Sequence, residues 1–95
     1  MPGPVPIHNA IPVSASAVQI APTRISRRGM TIYNDASVNL YVKYMSDVSL
    51  TSFTIRIPPE FWATMPWGEV YTGAMWGLWS AGDPGRFAQV TELVS

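Results

Sequence analysis

Five of the nine prolines fall within the first 23 residues, at positions 2, 4, 6, 12 and 22, and that stretch, MPGPVPIHNAIPVSASAVQIAPT, contains no Asp, Glu, Lys or Arg. Each proline fixes φ, removes a backbone donor and pushes the residue before it toward extended geometry, so a helix is excluded here. The same stretch carries Val5, Ile7, Ile11, Val13, Val18 and Ile20, which makes it too apolar for a solvated, highly charged tail. The expectation is an extended, Pro-rich N-terminal arm over residues 1–23, unable to fold alone and laid on another subunit, ahead of a domain over residues 24–95. Its 13–20 part has a further option, to add a strand to the same chain's sheet or to a partner's edge.

Without the arm about 72 of the 95 residues remain, enough for one domain but near the size at which one core is marginal without help. There is no cysteine to form a disulfide and only one histidine, so neither a covalent staple nor a zinc site supplies that help, and no cofactor is expected. Oligomerisation is the remaining stabiliser. The formal charge of +0 argues against an electrostatic nucleic-acid binder. Ala15-Ser16-Ala17 resembles a signal-peptidase site, but no Lys or Arg stands upstream and prolines break the apolar run, so secretion is not expected. No apolar run is long enough to span a membrane, and synthesis and assembly are expected in the cytoplasm.

From Gly29 onward the side chains alternate with period two, the pattern of half-buried strands. Met30 and Ile32 alternate with Thr31 and Tyr33, and Asn34-Asp35-Ala36-Ser37 supplies a turn. Val38, Leu40, Val42 and Tyr44 share a face of the next strand; Phe53, Ile55 and Ile57 point inward on a third, which Pro58-Pro59 ends. The 60–68 segment, with Phe61, Trp62, Met65, Pro66 and Trp67, reads as an irregular loop that either plugs the end of the core or meets a neighbour. Residues 70–80 are apolar on both faces, with Ala74, Trp76 and Leu78 on one and Met75, Gly77 and Trp79 on the other, so both need cover. Gly73 and Gly77 leave room for close approach there. A turn-rich loop leads to a closing strand over residues 87–94. Five or six short strands predict an all-β, small antiparallel β-sandwich or barrel, jelly-roll-like.

The residues offer little for catalysis. His8 is the sole imidazole and lies in the arm, so no nucleophilic triad is plausible. Asp35, Asp47 and Asp83 stand in expected turns and Glu60, Glu69 and Glu92 are scattered, which suits structural or solvating roles. No Gly-rich phosphate loop is present. Arg24, Arg27 and Arg28 form the densest charge cluster, either a solvated hinge or an anchor for acidic groups and carbonyls of a partner. The tryptophans at 62, 67, 76 and 79 suit a core or subunit interface, with a sugar-stacking platform as the rival reading.

The pieces Ser52-Phe53-Thr54-Ile55-Arg56, Tyr71-Thr72-Gly73, Gly77-Leu78-Trp79 and Val90-Thr91-Glu92-Leu93, in that order, give residues 28–93 a pattern that resembles small all-β virion proteins of tailed bacteriophages. The resemblance implies a capsid decoration, cement or head-fibre-base protein, often trimeric, that bridges major capsid proteins in the virion and is not an enzyme. On that reading Val5, Ile7, Ile11, Val13, Val18, Ile20, Arg24, Arg27 and Arg28 bind the capsid, and Trp62, Trp67, Met75 and Trp79 form the subunit contact. The partners are then the major capsid protein and further copies of the chain, with no nucleic acid and no membrane. The alternatives are a neck, tail or fibre-anchoring part of the virion, and a carbohydrate-binding module.

Overall fold

A computed structural model describes residues 5–64 and 70–95. Eight strands run through them: β1 Val5–Pro12, β2 Val18–Ala21, β3 Arg27–Asp35, β4 Leu40–Lys43, β5 Ile55–Ile57, β6 Trp62–Thr64, β7 Met75–Trp79 and β8 Phe87–Val94. They form two antiparallel four-stranded sheets, A in the order β1-β8-β3-β6 and B in the order β2-β7-β4-β5. One apolar cluster joins Met30, Ile32, Ala88 and Val90 of sheet A to Leu40, Val42, Met75 and Trp79 of sheet B. This is an all-β chain consistent with a sandwich, and the described residues contain no helix.

The segment expected to be an arm laid on another subunit supplies one edge strand of each sheet. β1 pairs with β8 along its whole length, from Val5 opposite Val94 to Pro12 opposite Phe87, and β2 pairs with β7. Both sheets thus cross the boundary expected between residues 23 and 24. The physical reason lies in where the prolines stand. Val13 donates its N–H to the Arg86 carbonyl across the ladder, at 3.1 Å. Because N–H groups alternate sides along a strand, the odd residues of β1 aim theirs at β8 and the even residues aim at the open edge. Pro6 and Pro12 are even-numbered, so the donors they lack are ones this edge strand does not use.

β2 carries a bulge between Gln19 and Ala21, which turns two successive residues, Ile20 and Ala21, inward. Ile20 fills the space left by Gly77: a Cβ there would meet Ile20 Cγ1 at 2.9 Å and Leu40 Cδ1 at 3.2 Å. The close approach expected at Gly77 therefore admits a side chain from the chain's own N-terminal segment.

Two further expectations change. The aromatic stretch after Pro58-Pro59 is not wholly irregular, since β6 pairs with β3 through Thr31, Ile32 and Tyr33. Phe53 does not point inward with Ile55 and Ile57; it precedes β5, is exposed, and packs edge-on against Tyr41 with ring centroids 4.9 Å apart.

Candidate functional site

Glu92 lies on the inward phase of β8, between two guanidiniums. Its side chain is 1% exposed and that of Arg27 is 0% exposed. Arg27 donates from Nε to Glu92 Oε1 at 2.7 Å, and Arg24 donates from Nε and Nη2 to the two carboxylate oxygens at 3.1 and 3.2 Å. Arg27 also donates to the Tyr71, Gly73 and Pro22 carbonyls. A planar, multiply donating guanidinium suits this task. Arg27 thereby ties sheet A to the segments flanking β2 and β7 of sheet B.

Between the two arginines the chain makes a turn, with Arg27 N–H on the Arg24 carbonyl at 3.0 Å. Its tip, Ile25, is 88% exposed. The turn is held from several sides: Arg24 N–H donates to the Thr72 carbonyl at 2.7 Å, and Ser95 N–H to the Ser26 carbonyl at 3.0 Å. A β-branched apolar side chain on an immobilised turn loses little further freedom when a partner covers it. Val5 and Leu93, both exposed, belong to the same end of sheet A, as does exposed Arg28. Together they make an apolar tip beside the exposed Arg28.

The residues expected to bind a capsid therefore divide. Val5 and Arg28 are exposed. Ile20 is buried in the core, Ile11, Val13 and Val18 pack against it, and Ile7 is half-buried. Arg24 and Arg27 do engage an acidic group and carbonyls, but those of their own chain, which corrects their expected role as contacts. They brace the tip.

A second buried polar cluster sits at the other end of β3. Asn34, 0% exposed, donates from Nδ2 to the Val38 and Ile57 carbonyls at 2.8 and 2.9 Å and accepts from Trp79 Nε1 at 3.0 Å. Its backbone N–H meets the Phe61 carbonyl, and its carbonyl receives the Glu60 N–H. Phe61 N–H in turn bonds the Pro58 carbonyl, closing a turn with Pro59 and Glu60 at its centre and Glu60 at φ 62°. Pro followed by a positive-φ residue is the pattern of a type II turn, where glycine is usual. The strained turn sets the entry to β6, where Phe61 and Trp62 are exposed.

The expected subunit contact also divides. Met75 and Trp79 are buried in the core, at 2% and 1% exposure, a correction with a clear cause: they share the inward phase of β7 with Gly77, which admits Ile20. Trp62 is 66% exposed, and Trp67 lies outside the described residues. On β7 the outward phase is Trp76, half-buried, and Leu78, which is only 8% exposed. Trp76 stands between Gln19 and Lys43, and Leu78 stands beside Tyr41, which is followed by Arg56 on β5. With Phe53 against Tyr41, the outer face of sheet B is an aromatic patch rimmed by cations, which the choice of Met75 and Trp79 overlooked.

Among the described residues no group of three His, Asp or Glu side chains is placed to hold a metal ion, and no helix is long and apolar enough to cross a membrane. A pocket of about 100 Å³ opens between the sheets, lined chiefly by Met30, Ile32, Ile55 and Met75. Comparison with known protein families, with curated proteins and with solved structures found no match.

Proposed function

We propose that the chain is a non-enzymatic structural protein of a tailed-bacteriophage virion, assembled in the host cytoplasm, that decorates the capsid and stabilises the major capsid lattice as a symmetric oligomer. The observation that carries this reading is Ile25, 88% exposed on a turn fixed by the buried Arg24–Glu92–Arg27 cluster. A rigid apolar tip beside Arg28 fits the surface of a large, fixed partner. The nested pairing, β1 with β8, β2 with β7, β3 with β6 and β4 with β5, is the order of an eight-stranded jelly roll, an architecture used by viral capsid domains. Architecture alone does not assign a role.

In this reading attachment runs through the rigid end of sheet A, not a free arm, and copies meet through Tyr41, Phe53 and Trp76 on sheet B. Closed symmetry lets identical aromatic patches cover one another, and several tips fixed in one oligomer make successive capsid contacts effectively intramolecular. The resemblance favours a trimer. The test is incorporation of Ile25→Asp into virions, read by quantitative mass spectrometry against the major capsid protein. Loss of incorporation with an unchanged thermal melt supports the docking role; wild-type incorporation overturns it. Native mass of the purified protein, with Trp76→Ala for comparison, tests the self-contact separately.

A further inference from the structure

The outer face of sheet A differs in chemistry from every surface used above. One cross-strand row reads His8, Thr91, Thr31 and Thr64 across all four strands. The next row includes Gln89, Tyr33 and Trp62. At a strand spacing of about 4.8 Å the polar row extends about 14 Å. No side chain in these rows is an acid, lysine or arginine.

The polar groups are also pre-organised. His8 Nε2 lies 2.7 Å from Gln89 Oε1 and Nδ1 lies 2.8 Å from Thr91 Oγ1. Both ring nitrogens of His8 are thereby engaged, one by the Gln89 amide oxygen and the other by the Thr91 hydroxyl. That leaves the Gln89 amide with two donors and the Thr91 oxygen with acceptor capacity, both on an exposed surface. Thr31 and Thr64 continue the row with hydroxyl oxygens 3.4 Å apart. Beside them Trp62, 66% exposed, offers an aromatic face next to Tyr33.

We propose that this face binds a neutral glycan, with the Trp62 and Tyr33 rings stacking on the C–H faces of sugar rings and the Gln89–Thr91–Thr31 row meeting their hydroxyls. The chemistry favours a sugar over the other classes of partner. A protein interface core would be apolar where this row is hydroxylated. A nucleic acid or acidic polysaccharide would call for Lys or Arg that the rows lack. Mixed donors and acceptors beside an aromatic ring match a ligand that is itself amphipathic and hydroxyl-rich. This assignment takes Trp62 away from the expected subunit contact, and it stands whether or not the capsid reading does.

The experiment is a screen of the full chain on an array of neutral and acidic glycans, followed by ¹⁵N NMR titration with the best neutral oligosaccharide. The expected result is a shift of the Trp62 indole and of the Thr31, Gln89 and Thr91 amides. Trp62→Ala should weaken binding roughly tenfold, and Gln89→Ala should weaken it by a smaller factor. Trp76→Ala, on the other sheet, should leave it unchanged. The proposal is overturned if no neutral glycan binds, if only acidic glycans bind, if the shifts centre on Trp76, or if Trp62→Ala binds as well as wild type. A Trp62→Ala chain whose native mass falls while sugar binding persists overturns it as well, since Trp62 is then a subunit contact.

Discussion

The two ends of β3 carry buried polar clusters of different kinds, ionic around Arg27 and neutral around Asn34. Seven residues of extended chain set them about 23 Å apart. Each lies beneath an exposed apolar feature: the ionic cluster fixes the turn that bears Ile25, and the neutral cluster fixes the turn that delivers Phe61 and Trp62. The difference lies in what each can hold. Both tie sheet A to sheet B, but a guanidinium reaches several loop carbonyls at once and needs a carboxylate to remain buried. The amide of Asn34 serves fewer partners, without a charge to neutralise. One end is braced by a costly device, the other by a cheaper one with a strained turn added.

The largest expected effect follows from removing the shared anion. Glu92→Ala leaves two guanidiniums without a carboxylate and should lower unfolding stability by about 3–5 kcal/mol, measured by denaturant titration; a loss below about 1 kcal/mol would show that the ionic tie is dispensable. Asn34→Ala removes the bonds to the Val38 and Ile57 carbonyls and to the Trp79 indole, with an expected loss of about 2–3 kcal/mol. Equal losses at the two sites would erase the distinction between the clusters. Glu60→Gly relieves the left-handed residue at the neutral end, and the melt should rise by the equivalent of about 0.5–1 kcal/mol. Ile25→Ser should change stability by less than about 0.5 kcal/mol, because the brace and not the tip holds the turn.

The smallest effect is a pH dependence from two exposed carboxylates. The Ser37 N–H and hydroxyl, at 2.8 and 2.9 Å, hold the Asp83 carboxyl below its usual range, and Lys43 does the same for Asp47. A carboxylate with a depressed folded value contributes stability that is present above its ordinary titration range. That contribution is lost as pH falls through the folded value. Acidification below about pH 4 should therefore lower the melt slightly, and Asp83→Asn with Asp47→Asn should flatten that slope.

Much of the sheet structure was legible in the alternation of side chains, because a strand that buries one face writes period two into its sequence. The phase was harder. Both phases of β7 are apolar, so alternation alone could not decide whether Met75 and Trp79 or Trp76 and Leu78 face the core; Gly77 decides it by admitting Ile20. β1 was not foreseen because the Pro-rich segment was read as an extended arm laid on another subunit, and β2 was in view only as the option of a strand over residues 13–20; on an edge, prolines matter only when their missing donors face the sheet. The ionic cluster left a trace in the pattern Ala88, Val90, Glu92, where an acid occupies the apolar phase. Its partner was in view among Arg24, Arg27 and Arg28, yet strand alternation does not reveal which charges lie across the core.

The nested strand order also sets a timetable. β4 meets β5 across a short loop, from Leu40 to Ile57, whereas β1 meets β8 across nearly the whole chain, from Val5 to Val94. Loop closure favours the near pair, so assembly runs outward from the middle strands, and β1, whose partner is the most distant in sequence, is among the last to find its place. Until β8 exists, β1 is a solitary apolar ribbon in a crowded cell. Pro6 and Pro12 strip two donors from one side of that ribbon, which makes it a poor template for wrong partners during the wait.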